Sequence, residues 1–258
     1  IKAVLIVAPK GVYDNWVQGE IPNHLSDQVP RVVVRWIPAK TKKFQEELET
    51  LFDKENKDLK IFVMNIEAFS SPRGAKMAEN FLDYNPDNIV IIDESTTIKN
   101  RKAQRTKNIL NLRKSSKYKR ILTGSPITKS PMDLFSQCFF LGAEKLGFTS
   151  YFAFQNRHAI VQQRAMGHRS FQEITGYRRL EELNEKLQTF SSRILKEECL
   201  TLPEKLYIRR NIDLSEEQKR LYSQMKKLAL AQLANGELAT TQSVLTQIMR
   251  LQQICCGF

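Results

Sequence analysis

The stretch IVIIDESTTIKN, residues 89–100, decides the fold. Four apolar residues, Ile89-Val90-Ile91-Ile92, run directly into the adjacent carboxylates Asp93 and Glu94. A run that is apolar on both faces and rich in β-branched side chains reads as a central strand of a parallel sheet. Open α/β sheets bind their ligands at the carboxyl ends of such strands. Two neighbouring carboxylates there repel one another unless a cation or a proton-transfer role compensates them. A plainer reading stands beside this one: a polar strand end, with Ser95, Thr96 or Thr97 capping the next helix.

Working outward, KAVLIVA (2–8), RVVVRWI (31–37), KIFVMN (60–65) and YKRIL (118–122) read as four more strands. Helices are expected over residues 14–25, capped by Asp14 with Trp16 on the inner face, and over 41–52, capped by Thr41. Others are expected over 75–83, 101–112 and 132–141, with residues 67–71 as loop. Strand and helix alternate five times across short connections, which predicts a doubly wound parallel sheet.

Beyond residue 141 the composition shifts. Phe148, Tyr151, Phe152, Phe154 and Phe171 lie among Arg157, Arg164, Arg169, Arg178 and Arg179, which reads as a helical and loop insertion. Arginines and aromatics can grip a single nucleic-acid strand, or the aromatics can pack the insertion's own core. A helix over 180–190 follows, then a strand over 206–214 (LYIRRNIDL). Helices over 215–233 and 240–256, joined near Asn235-Gly236, end the chain. Ser215 and Gln218 have capping-box spacing. The expected domains are 1–141, the 142–205 insertion, and 206–258 leading into a further domain.

The 258 residues are 41% hydrophobic, enough to bury a sizeable core. Forty Lys and Arg against 28 Asp and Glu give a formal charge of +12, which points to a polyanionic partner. The charge is concentrated: residues 95–132 contain no Asp or Glu, but include Lys99, Arg101, Lys102, Arg105, Lys107, Arg113, Lys114 and Lys129. A merely solvated face mixes signs, so this run reads as a surface for phosphates or an acidic partner. The four cysteines form no CxxC pair and there are three histidines, which argues against zinc and for a reducing compartment. No apolar run approaches membrane-spanning length. A chain that opens on a strand, without Met, reads as part of something longer.

An Asp-Glu pair at a strand end suits nucleotide hydrolysis: Asp93 to hold magnesium, Glu94 to orient or deprotonate water. Thr123-Gly124-Ser125 ends a strand expected beside it, and its hydroxyls are within reach of the carboxylates; as a bland alternative, Gly124 and Pro126 simply make a turn. Nothing in the chain matches GxxxxGK[ST], the loop that cradles nucleotide phosphates, or a dinucleotide fingerprint.

Taken in order, these stretches resemble the first motor lobe of the SNF2-like branch of superfamily 2 helicase-type ATPases, particularly compact phage or bacterial members. Leu5-Ile6-Val7-Ala8-Pro9 with Trp16 and Glu20 resembles motif Ia, and Asn65-Ile66-Glu67-Ala68-Phe69 resembles motif Ib. Asp93-Glu94-Ser95-Thr96 with Ile98-Lys99-Asn100 resembles motif II, where the family has DEAH, so Ser95 and Thr96 depart from it. Leu122-Thr123-Gly124-Ser125-Pro126 with Asp133-Leu134-Phe135 resembles motif III. Leu202-Pro203-Glu204-Lys205, Leu214-Ser215-Glu216-Glu217-Gln218 and Tyr222 resemble the crossing to a second lobe, and Leu251-Gln252-Gln253-Ile254-Cys255 resembles the family's LRQ-C helix.

The resemblance implies a RecA-like fold and an enzyme that hydrolyses ATP with Mg2+ between two lobes while moving on double-stranded DNA. It implies that the phosphate loop precedes Ile1, that the second RecA-like lobe follows Phe258, and that this piece is inactive alone. Asp93 would hold the metal and Glu94 activate water; Thr96, Thr123, Gly124 and Ser125 would couple hydrolysis to DNA. Lys10, Asn65, Phe69, Lys99, Arg101, Lys102 and Arg105 would touch the phosphodiester backbone. The expected location is cytoplasmic, in a bacterium or a phage-infected cell, or nuclear in a eukaryote. Two other classes remain open on the residues alone: a non-catalytic basic nucleic-acid-binding module, and a protein-interaction domain whose basic face meets an acidic partner.

Overall fold

The computed structural model describes residues 1–39, 41–166, 169–201, 203, 206–234 and 241–257. The chain forms two compact units, Ile1–Arg193 and Ile194–Phe258.

The first unit is built on a five-stranded sheet: β1 (Ala3–Ala8), β2 (Arg31–Arg35), β3 (Leu59–Asn65), β4 (Asn88–Ile92) and β5 (Tyr118–Ile121). Their order is β2-β3-β1-β4-β5 and every pairing is parallel. The expected doubly wound sheet is present, with β1 at its centre and the chain order reversing between β1 and β4. Side chains alternate across the sheet. On one face Leu5, Val7, Phe62, Met64, Val90 and Ile92 join Phe44, Phe69, Phe81 and Ile109 in the main core. On the other, Ile6, Ile61 and Val63 pack with Ile21, Trp16 and Val17.

Local chemistry sets the helix boundaries. Thr41 Oγ1 accepts from Phe44 N (3.3 Å), starting Lys42–Thr50 at the expected cap. Ser71 caps Gly74 N (3.4 Å) and Pro72 fits the first helical turn. That helix therefore runs Pro72–Tyr84, earlier than its apolar stripe indicates. The expected loop at 67–71 is a 3-10 turn, Ile66–Ser70. The helix expected over 14–25 is broken into Tyr13–Asn15, a π-turn over Trp16–Glu20, and Ile21–His24. Asp14 does not cap it; its carboxylate is taken by Arg35 Nη1 at 2.5 Å. The helix expected over 101–112 is Gln104–Asn111, so Arg101 and Lys102 precede it.

The insertion differs from the expected helices and loops. Helix Tyr151–His158 leads into an antiparallel hairpin, β6 (Ala159–Met166) with β7 (Arg169–Tyr177), followed by helix Leu180–Gln188. Its aromatics Phe148, Tyr151, Phe154 and Phe190 pack inward, sharing a satellite core with Phe135 of the preceding helix and with Leu183, Val161 and Ile174.

In the second unit the expected strand over 206–214 is not formed. Leu206, Tyr207, Ile208 and Ile212 are exposed and no strand is assigned to them. Their apolar alternation is real, but a strand exists only where another edge takes up its backbone hydrogen bonds. The expected capping box is formed: Gln218 N donates to Ser215 Oγ (3.2 Å) and Ser215 N to Gln218 Oε1 (2.9 Å), opening Glu216–Ala234. Helix Thr241–Cys256 ends the unit. Leu202, Glu204, Lys205, Asn235 and Gly236 lie outside the described residues.

Phe62 is fully buried, with ring contacts to Trp36 and Phe81 at 6.3 and 5.4 Å. Phe62→Ala is expected to lower stability by about 3–5 kcal/mol through lost burial and the cavity left behind. Denaturant unfolding of the two proteins measures this, and a loss below about 1 kcal/mol would show that the core there collapses freely.

Candidate functional site

Backbone hydrogen bonds level the strand ends that carry the candidate residues. Asp93 N donates to Val7 O (2.8 Å), Leu122 N to Ile92 O (2.8 Å) and Ser95 N to Leu122 O (3.0 Å). The carboxyl ends of β1, β4 and β5 therefore present Lys10, Asp93 and Thr123 along one edge of the sheet. Asn65, at the end of β3, is in register with Ala8. This edge includes the point between β1 and β4 where the chain order reverses, the usual ligand crevice of such sheets.

Asp93 is half-buried and both its oxygens are engaged. Trp16 Nε1 donates to Oδ2 at 2.9 Å, and Glu94 N donates to Oδ1 at 2.9 Å. An indole packed partly inside needs a partner for its one N–H, and here the π-turn that begins at Trp16 aims it at the carboxylate. The sequence places Trp16 inward but does not name Asp93 as its partner. Glu94 is exposed and adopts φ 48°, ψ 58°, the left-handed region that an L-residue occupies at a penalty. Such strain, on the order of 1–3 kcal/mol, gathers at working sites. It turns the side chain away from the strand direction and toward β5, where Thr123 Oγ1 donates to Glu94 Oε2 at 3.4 Å. Thr97 Oγ1 closes back on Glu94 O at 2.8 Å.

Thr96 is half-buried in the 3-10 turn Ser95–Ile98, so these residues do not cap an α-helix. Ser95, by contrast, is fully buried, and its Oγ donates to Gln137 Oε1 at 2.7 Å. Ser125 N donates to Thr123 Oγ1 (3.2 Å), and a Cβ at Gly124 would meet nothing, so that loop is open to solvent. The loop's far end is gathered by Asp133, whose Oδ2 accepts from Thr128 N (3.1 Å), Thr128 Oγ1 (2.8 Å) and Lys129 N (3.0 Å). Burial alone would raise the Asp133 pKa, but the hydrogen bonds from Lys129 and Thr128 outweigh it and hold the group below its ordinary value.

The expected phosphate-contacting set divides. Lys10 and Lys102 are exposed, and Arg105 is half-buried. Asn65 Nδ2 donates to Glu67 Oε2 at 3.0 Å. Phe69 is corrected: its side chain is fully buried in the main core and cannot reach a phosphate. Lys99 Nζ is held by Thr128 Oγ1, and the Arg101 guanidinium lies 4.1 Å from the centre of the Tyr151 ring. Both are thus bound within the protein. Arg113 lies likewise over Phe139 at 4.0 Å. Lys107, Lys114 and Lys129 remain exposed. Among the described residues no three His, Cys, Asp or Glu gather as a metal site, and no helix is long and apolar enough to cross a membrane.

Three comparisons with known proteins agree. The model of the SNF2-related domain matches residues 1–257. The human helicase-like transcription factor is 32% identical over 176 residues, 65% of this chain and 16% of that protein. DNA repair protein RAD5 of Kluyveromyces lactis is 31% identical over 179 residues, 65% of this chain and 15% of its own length. The mouse DNA annealing helicase and endonuclease ZRANB3 is 30% identical over 181 residues, 67% of this chain and 17% of its own. The chain thus spans under a fifth of the relatives it matches. Among solved structures, the Sulfolobus solfataricus SWI2/SNF2 ATPase core in complex with dsDNA superposes with a TM-score of 0.50 at 20% identity, covering 98% of this chain and 47% of that one. A family match over nearly the whole chain, on a parallel sheet with Asp93-Glu94 at its switch point, places the protein: it belongs to the SNF2-related family of helicase-like ATPases and corresponds to the first motor lobe.

Proposed function

We propose that the protein containing this chain is an ATP-dependent translocase on double-stranded DNA, and that this lobe supplies the metal-holding and water-activating carboxylates. The observation that carries the reading is Glu94, held in a left-handed backbone conformation beside Asp93 and linked to Thr123 just beyond the next strand.

Magnesium takes one or two carboxylate oxygens and fills its remaining positions with water and substrate phosphate. Asp93 fits that demand: each oxygen accepts a single hydrogen bond and keeps a lone-pair direction, and Trp16 fixes the carboxylate's rotation. When bound, the ion would neutralise charge on the phosphates. Glu94, with Oε2 engaged by Thr123, has Oε1 to accept a proton from an attacking water. Thr123 begins the loop that also holds Gly124 and Ser125, so a change at Glu94 is felt by that loop. Lys10 and Lys102, with the exposed lysines of residues 107–129, are the residues assigned to the phosphodiester backbone, and Lys99 and Arg101 take structural roles that shape that surface. The relatives' names, which include DNA repair and DNA annealing, support DNA as the track.

A second reading, a non-catalytic basic nucleic-acid-binding module, has one observation in its favour: no GxxxxGK[ST] loop occurs in these residues. In the leading reading this lobe alone does not turn over, and a phosphate cradle and a second lobe complete the site in cis.

In the full-length gene product, Glu94→Gln is expected to reduce DNA-stimulated ATP hydrolysis by about 10²–10⁴-fold with little change in KM. Hydrolysis at the parent rate would remove Glu94 from the mechanism; no hydrolysis by the parent, with or without DNA, would favour the binding module. Separately, Lys10→Ala and Lys102→Ala are each expected to weaken duplex binding and to lower the slope of log affinity against log salt by about 1. An unchanged slope would take that lysine off the track.

A further inference from the structure

Helix Leu134–Leu141 reads LFSQCFFL, and Gln137 is 0% exposed within it. A buried amide is tolerated only when its donors and acceptor are satisfied. Those of Gln137 are. Nε2 donates to Pro126 O and Asp133 O, both at 2.8 Å, and Oε1 accepts from Ser95 Oγ at 2.7 Å. The orientation is forced, because carbonyl oxygens only accept, so the NH2 group must face them and Oε1 is left for the serine hydroxyl.

The two loops joined in this way are the two that carry the site. Ser95 follows Glu94 directly, and Pro126 follows Ser125. Beyond Leu122 the second loop has no helix or strand until Pro131. Its far end is fastened by Asp133, and at its near end Thr123 reaches Glu94 across a long 3.4 Å contact. Gln137 is the short connection between those anchors, and its bond to Ser95 is buried, so nothing replaces that bond when it is broken. At the Ser95 position the DEAH pattern has alanine, which offers no hydroxyl; in this chain the departure and the glutamine satisfy one another.

We propose that Gln137 is a positioning residue that couples the carboxylate loop to the residue 123–128 loop. A displacement of Glu94 reaches Pro126 through Ser95 and Gln137, and movement of the 123–128 loop returns to Glu94 by the same bonds. Gln137 touches neither nucleotide nor nucleic acid. The inference rests on the hydrolytic reading of Asp93 and Glu94 for its consequence, but not for the coupling itself.

The test uses the full-length gene product with Gln137→Met, which keeps the bulk and removes all three hydrogen bonds, and Ser95→Ala, which removes only the link to the carboxylate loop. Melting temperatures verify that both fold. ATP hydrolysis without DNA is expected to stay within about twofold of the parent, while stimulation by duplex DNA falls about tenfold in each variant at unchanged KM for ATP. The double variant is expected to be no worse than Gln137→Met alone, as for two residues acting through one contact. Parent-like stimulation in both variants overturns the proposal. Amide hydrogen exchange over residues 122–129 reads the coupling without turnover: Ser95→Ala, remote in sequence, is expected to speed exchange there about tenfold. If the parent hydrolyses no ATP, exchange decides. Faster exchange then upholds the coupling while the hydrolytic reading falls, and unchanged exchange overturns the coupling.

Discussion

Three backbone hydrogen bonds, Asp93 N to Val7 O, Leu122 N to Ile92 O and Ser95 N to Leu122 O, hold the ends of three parallel strands at one height. Everything proposed for the site depends on that levelling. A parallel ladder is evenly spaced and leaves little freedom of register when both faces are buried, because a one-residue slip would turn Val90 and Ile92 out of the core. Asp93 and Glu94 then arrive at the height where Trp16 and Thr123 meet them. The penalty at this edge falls on Glu94 itself, where the chain leaves the strand through a left-handed residue.

The sheet was legible because its strands are buried on both faces, so that Ile89-Val90-Ile91-Ile92 and KAVLIVA are continuous apolar runs with clear breaks after them. The same logic misleads at residues 206–214. There the alternation is mixed, and pairing is in any case a property of two strands, with no partner present among the described residues. The β6–β7 hairpin was hidden for the opposite reason: Gln162-Gln163-Arg164 and Gln172-Glu173 are polar on both faces, and it is Ala159, Val161 and Ile174 that reach the satellite core. Phe69 was misplaced because an aromatic residue in a motif says nothing about which way its ring points; the ring lies in the main core.

Side-chain partnerships were less legible than strands. The carboxylates announce themselves as adjacent charges after an apolar run, but neither Trp16 nor Gln137 shows its partner in one dimension, the partners lying 77 and 42 residues away in sequence. A signal did exist for Gln137: a primary amide inside LFSQCFFL is either exposed or fully bonded. The basic run is plain in the sequence, but which of its members have partners inside the protein is not. Lys99, Arg101 and Arg113 are occupied by Thr128, Tyr151 and Phe139, which thins the surface to the residues that remain exposed.

β5 is four residues long, stands at the edge of the sheet and has exposed Tyr118 on one side. An unpaired strand edge is a template on which any passing chain can add itself, including another copy of the same protein. Natural edges are kept safe by brevity and by charge, and this one has both: Lys119 and Arg120 lie within it, while Lys117 just before it is paired with Asp87, so two such edges brought together would face like with like. The positive charge concentrated in this part of the chain thus has a second consequence, which is that a β5 edge left open repels another copy of itself.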